Sequence, residues 1–227
     1  MKYNAKRIAL NTLSGILAFF ISISTVFLML GVVLNVVYIK TTVRGYSMQP
    51  TLNQYVTTDE QDGDVVFVNR FRECAVGDIV VAIKTEGEET HSIIKRLIGL
   101  EGDTIQIKEI SGYYHLLVNG ELLYTKRRTT VGAHGLSGSY DYYQLYLQHI
   151  AAHRGTDRVV TNSNGEECIK INKNECFLMG DNWGETTDSM SYGAVNVSSI
   201  VGKAEFVVPM GENVMISAIK NFWEILT

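Results

Sequence analysis

"TIQIKEI" (Thr104–Ile110) and "YYHLLVNGELLY" (Tyr113–Tyr124) decide the fold. Both are rich in Ile, Val, Leu and Tyr, both are of strand length, and turn residues bound them, with Asn119-Gly120 as a hairpin signal. Working outward toward the N-terminus, "SIIKRLIGL" (Ser92–Leu100), "DIVVAIK" (Asp78–Lys84) and "DVVFVNR" (Asp64–Arg70) have the same texture. On the other side strand character returns at "CIKIN" (Cys168–Asn172), "CFLMGDN" (Cys176–Asn182) and "IVGKAEFVV" (Ile200–Val208). No helix-period segment of comparable length interrupts the first series, so this part of the chain reads as mainly antiparallel β.

Between the two series lies a polar, aromatic stretch, Lys126–Asn164, in which "YDYYQLYLQHIAAHR" (Tyr140–Arg154) has helix-compatible spacing. It reads as an insertion, 125–165, carrying a helix or long loop. The C-terminal "NVMISAIKNFWEILT" is amphipathic, and with Lys220 and Glu224 it is too short and too charged to span a bilayer. The tail 210–227 is expected to rest on the domain or on a membrane surface.

From Ile8 to Ile39 there is no charged residue. About 20 helical residues cross a hydrocarbon core, so this run is long enough to cross with tilt. Its Ser, Thr and Asn residues are tolerable when bonded to preceding carbonyls. Lys2, Lys6 and Arg7 precede the run, which favours an inside N-terminus, and Lys40 and Arg44 beyond it weaken the asymmetry without reversing it. A cleaved signal peptide also starts basic and turns apolar, but its apolar region is about 7 to 15 residues long and ends at a small-x-small site. "LNVVYIK" offers none. The expected organisation is therefore a cytoplasmic N-terminus at 1–7, a transmembrane anchor at 8–39 and an extracytoplasmic domain at 40–227.

At 227 residues the chain holds one domain of ordinary size plus an appended segment. A formal net charge of -4 gives no electrostatic reason to expect nucleic acid. Cys74, Cys168 and Cys176 include no C-x-x-C pair, so no metal or redox site is expected. Cys168 and Cys176 flank the turn-like "INKNE" and are read either as a pair meeting across a hairpin or as free buried thiols.

"RGYSMQPTLN" (Arg44–Asn53) sets Ser47 between a glycine turn and a proline. A serine hydroxyl needs a neighbouring base to become a nucleophile. Five histidines are present but no G-x-S-x-G elbow, which leaves lysine as the alternative. Strand alternation puts Ile93, Lys95 and Leu97 on one face, where burial would favour a neutral amine. The strand alone also permits an exposed Lys95 beside Arg96 on an edge. A third segment, "FLMGDNWGETTDSMSYG" (Phe177–Gly193), is a polar loop after a strand, able to bring hydroxyls and a carboxylate to a site.

Taken together and in order after the anchor, "GYSMQPTL", "GDIVV", "IKRLIGLEGD" and "GDNWGETTDSMSYG" resemble the motifs of type I signal peptidases. The resemblance covers nearly the whole chain except Lys126–Asn164. It implies a coiled, barrel-like β catalytic domain behind a transmembrane helix, and cleavage of signal peptides from exported preproteins by a Ser-Lys dyad. Carried over by position, Ser47 resembles the nucleophile and Lys95 the general base. Thr186 resembles the hydroxyl that orients the lysine, Asp188 the aspartate of that loop, and Val43 and Ile94 residues lining the substrate pockets. No cofactor or metal is implied; the expected partners are secretory preproteins and membrane lipid. Trp183 and Met190 stand where the family pattern has arginines, Glu101 where it has proline, and Gly45 offers no hydroxyl beside the nucleophile. The sequence admits two other readings: a catalytically weak or inactive assembly factor for surface structures on the same scaffold, and a self-cleaving repressor, which the anchor opposes.

Overall fold

The computed structural model describes residues 2–58, 61–127, 143–148, 158–213 and 216–217. Two compact units divide the chain, Met1–Ile39 and Lys40–Thr227.

The first unit is dominated by the helix α1 (Lys2–Val37). Its segment Asn11–Val37 has a mean hydropathy of 2.6 and none of its apolar window is buried, so by length and composition it can cross a membrane. A helix suits such a solvent because it satisfies its own backbone groups. The polar side chains do the same: Ser22 Oγ donates to Ala18 O (2.9 Å), Thr25 Oγ1 to Ile21 O (2.8 Å) and Asn35 Nδ2 to Gly31 O (2.8 Å). The helix stops at Val37, two residues before the expected end of the anchor, because Tyr38 and Ile39 already belong to a strand.

Among the described residues twelve strands follow: β1 (Tyr38–Arg44), β2 (Asp62–Asn69), β3 (Ile79–Glu86), β4 (Glu89–Gly99), β5 (Thr104–Ile110), β6 (Tyr113–Val118), β7 (Glu121–Arg127), β8 (Val159–Thr161), β9 (Glu167–Lys170), β10 (Glu175–Met179), β11 (Val195–Asn196) and β12 (Ile200–Val208). They form a seven-stranded sheet in the order β1-β2-β12-β3-β4-β10-β11 and a five-stranded sheet in the order β7-β6-β5-β9-β8. The Asn119-Gly120 turn joins β6 to β7 as the sequence predicts, with Asn119 at φ +54° and Gly120 at φ +80°. Each segment read as a strand is one; β1, β8 and β11 are additions too short or too polar to stand out.

β4 is an interior strand. β3 pairs along its whole length, from Glu86 opposite Glu89 to Ile79 opposite Arg96, and β10 pairs on its other side only from Arg96 onward. On the shared face, Val80, Ala82, Leu97, Cys176 and Leu178 form a buried cluster with Ile93 packed against it. The larger core joins Ile105, Ile107, Leu116, Ile169 and Phe177 across the second sheet.

Part of the expected insertion belongs to that core. Residues 143–148 are helical and bury Tyr143, Tyr146 and Leu147, Tyr146 meeting the Phe177 ring edge-on at 5.8 Å. The remainder of Tyr140–Arg154, and the C-terminal tail beyond residues 216–217, lie outside the described residues. The three cysteines are free thiols, with Cys168 on β9 and Cys176 on β10 in different sheets.

The Tyr143 hydroxyl donates to Glu167 O (2.8 Å) and lies 3.2 Å from Ile105 O, tying this helical turn to β9 and β5. Tyr143→Phe is expected to destabilise the domain by about 1 kcal/mol, measured by denaturant unfolding. An unchanged stability would mean that the turn contributes volume and no anchoring.

Candidate active site

Ser47 and Lys95 come together. Lys95 Nζ donates to Ser47 Oγ at 2.7 Å, across 48 positions of sequence. Lys95 is 6% exposed, which removes the reading of an exposed lysine: although β4 has a partner on one side only at this position among the described residues, the side chain projects on the face of Val80, Ala82 and Leu97. Ser47 sits in the loop after β1, which the polar loop after β10 holds in place. Asn182 N–H donates to Ser47 O (3.0 Å), and Asn182 Nδ2 donates to Tyr46 O (3.1 Å).

Arg96, the residue after the lysine, grips the same loop. Its Nε and Nη2 donate to the two carboxylate oxygens of Asp181 (2.8 and 2.6 Å), and Nη1 donates to Gly77 O (2.6 Å). Thr51 Oγ1 donates to Asp181 Oδ2 (2.5 Å). A two-pronged guanidinium–carboxylate contact fixes orientation as well as distance. One buried carboxylate thus ties the strand of Lys95 to the loop of Ser47. Arg96, Asp181 and Thr51 lie within the sequence motifs, but nothing local marks these roles, because their partners are far away along the chain.

Asp188 is 1% exposed and caps the short helix α2 (Ser189–Tyr192). Its Oδ1 accepts from Met190 N–H and its Oδ2 from Gly180 N–H, both at 2.9 Å. Backbone amides therefore serve the carboxylate where the family pattern has an arginine. Met190 and Trp183, the two replacements, are buried in the large apolar core, and the Trp183 ring lies 5.7 Å from that of Tyr124. Burial pushes the Asp188 carboxyl above its ordinary 3.8, outweighing those two amide bonds and the charge of Lys95.

Thr186 is close to this centre but makes no hydrogen bond. Its hydroxyl is buried, and lies near enough to Asp188 to favour the charged carboxylate without being in bonding geometry. The expected bond from Thr186 to the lysine is thus not formed in this structure. The hydroxyl packs on Gly180, where a Cβ would fall 2.2 Å from Thr186 Oγ1 and 2.5 Å from Ser47 O. Only glycine lets these segments approach so closely.

A groove of about 240 Å³ leads to the pair, lined by Thr41–Arg44, Ser47, Val81 and Ser92–Lys95. Val43 and Ile94 both line it. Its long walls are strand edges: β1 is the outer strand of its sheet, and Glu89–Lys95 of β4 have β3 on one side only among the described residues. Leu97 turns its peptide groups toward Gly77 and Asp78, on the β3 side. Alternation then aims the peptide groups of Ser92 and Ile94 into the groove. No cluster of metal-ligating residues occurs among the described residues.

The model of the signal peptidase family, peptidase S26, matches residues 16–209. Signal peptidase I P of Bacillus subtilis subsp. natto is 35% identical over 172 residues, covering 73% of this chain and 74% of that protein. Signal peptidase I of Streptococcus pneumoniae is 29% identical, covering 72% and 78%, and signal peptidase IB of Staphylococcus aureus is 28% identical, covering 84% and 88%. Among solved structures, a signal peptidase I from Enterococcus faecalis matches with a TM-score of 0.34 and 20% identity, over 59% of this chain and 98% of that one.

The raised Asp188 carboxyl binds its proton more tightly in the folded than in the unfolded chain. Its contribution to stability is full below about pH 4, its unfolded range, and is lost as pH rises through the higher folded value. Thermal midpoints of the intact protein and Asp188→Asn, compared across a pH series, should differ in a pH-dependent way, with the advantage of the aspartate shrinking as pH rises. A difference that stays constant with pH would contradict the raised carboxyl.

Proposed function

The chain belongs to the signal peptidase family, peptidase S26, and we propose that it is a membrane-bound serine endopeptidase that removes N-terminal signal peptides from exported preproteins with Ser47 and Lys95. The observation that carries this reading is the 2.7 Å contact between a buried lysine amine and a serine hydroxyl at the foot of an open groove. An inactive assembly factor would have no use for that arrangement.

The preprotein enters the groove as an extended strand, its peptide groups facing those of Ser92 and Ile94 on one wall and the outer edge of β1 on the other. Small side chains of the signal peptide settle against Val43 and Ile94. An amine removed from water favours its neutral form, and neutral Lys95 accepts the Ser47 proton. The Ser47 oxygen attacks the scissile carbonyl carbon, and the carbonyl oxygen takes up the negative charge. The Ser47 amide is the assigned donor to that oxyanion; removing one such donor generally costs about 100-fold or more. The C–N bond then breaks, Lys95 passes its proton to the departing amine, and the signal peptide is left as an ester on Ser47. A water, deprotonated by Lys95, attacks the ester, and Ser47 leaves with the proton. Asp188 holds the loop after β10 through backbone amides, and the unbonded Thr186 hydroxyl has lone pairs to offer the Lys95 amine.

Placement follows from charge. Residues 1–7 lie in the cytoplasm with Lys2, Lys6 and Arg7, 8–37 form the anchor, and the catalytic domain that begins with β1 stands outside. Its partners are secretory preproteins and membrane lipid.

Ser47→Ala and Lys95→Ala are expected to abolish cleavage of a reporter preprotein by the detergent-solubilised protein, with folding and membrane insertion retained. Lys95→Arg should fail as well, because a guanidinium does not become a neutral base. Cleavage at the original rate in any of the three would end the dyad assignment.

A further inference from the structure

Asn53 is 0% exposed and adopts φ +58°, a left-handed conformation that asparagine tolerates better than most residues. Its carboxamide is fully engaged. Nδ2 donates to Val43 O (3.1 Å) and Gly45 O (2.7 Å), and Oδ1 accepts from Asp64 N–H (2.7 Å). Its backbone N–H donates to Asp64 Oδ2 (2.7 Å), and its carbonyl accepts from Gln49 Nε2 (2.7 Å). One side chain therefore closes the loop Val43–Asn53, which carries Ser47, and fastens it to the start of β2. Gly63 leaves room for this: a Cβ there would fall 2.1 Å from Asn53 Oδ1.

Resting on the dyad reading above, we infer that Asn53 is a positioning residue for Ser47. Val43 O points to Asn53, so by alternation the peptide groups of Thr42 and Arg44 point the opposite way, out of the β1 edge that walls the groove. Gly45, with φ +70°, then turns the chain so that Ser47 Oγ meets the lysine. An apolar side chain of the same volume would fill the site and take the side-chain donor away from both carbonyls. The amide sets both the edge presented to substrate and the position of the attacking oxygen, without touching either.

Asn53→Asp keeps the shape and an acceptor for Asp64 N–H, and removes both donors to the carbonyls. In the full-length, detergent-solubilised protein its kcat on a signal-peptide reporter is expected to fall about tenfold or more, with KM changed less than about threefold, since small displacements of reacting groups act mainly on the chemical step. Gly63→Ala, which pushes on the same amide from β2, should give the same split and carries the test if Asn53→Asp does not accumulate as folded protein. Ile107→Val, in the core of the second sheet, is the comparison: it should lower the thermal midpoint and leave kcat unchanged. If Asn53→Asp and Gly63→Ala keep kcat while Ser47→Ala is inactive, the positioning role is wrong and the dyad stands. If Ile107→Val loses kcat to the same extent at a comparable drop in thermal midpoint, the loss in Asn53→Asp reports destabilisation alone, and the positioning role is also overturned. If Ser47→Ala itself still cleaves, the dyad reading fails first.

Discussion

A single short contact, from Lys95 Nζ to Ser47 Oγ, sets the requirements for the rest of the domain. An amine on a flexible stem and a hydroxyl on a loop stay within bonding distance only if both are held from several directions. The lysine is held by β3, which pairs Val80 opposite it, on the buried face that also carries Ala82 and Leu97. The serine is held by three clamps around its loop. Asn182 takes the Tyr46 and Ser47 carbonyls, Asp181 joins Thr51 to Arg96, and Asn53 takes the carbonyls of Val43 and Gly45. Each clamp ends on backbone or on an ion pair, so none depends on the long side chains of the surface.

Burying this much polarity near an apolar core requires that its charges be answered locally. Asp181 meets a guanidinium in two-pronged geometry. Asp188 meets two backbone amides, one of them at the start of a helical turn, and this makes an arginine partner dispensable. With the cationic positions replaced by Trp183 and Met190, the same side of the loop contributes to the hydrophobic core instead. The loop is thus secured by packing on one side and by amide hydrogen bonds on the other.

Local pattern in the sequence reveals much of this and long-range pairing hides the rest. Alternating Val, Ile and Tyr with Asn-Gly punctuation marks the hairpins, because side-chain period and turn chemistry act over a few residues. The uncharged run Ile8–Ile39 marks α1 for the same reason. Ser47 and Lys95 stood out through residues flanking each of them. Whether Lys95 is buried, however, depends on strand order, with β12 lying between β2 and β3 and β10 beside β4, and no window of sequence contains that information. The same limit conceals Asn53, whose partners lie eight to eleven residues away across a left-handed turn, and Asp181, whose partner lies on another strand. Tyr143 and Tyr146 looked like decoration on an insertion because the core they complete is made by distant strands.

The groove has a cost that belongs to colloid behaviour rather than to catalysis. Two exposed strand margins facing one another form an adhesive slot for any extended polypeptide, and soluble sheet proteins ordinarily blunt such margins. Here Arg44 and Asp62, paired at 2.6 Å beside the β1 margin, supply hydrated charge next to it. Crowded preparations of this domain would be kept dispersed by that charged flank, and raising the ionic strength would weaken the protection along with the pair itself.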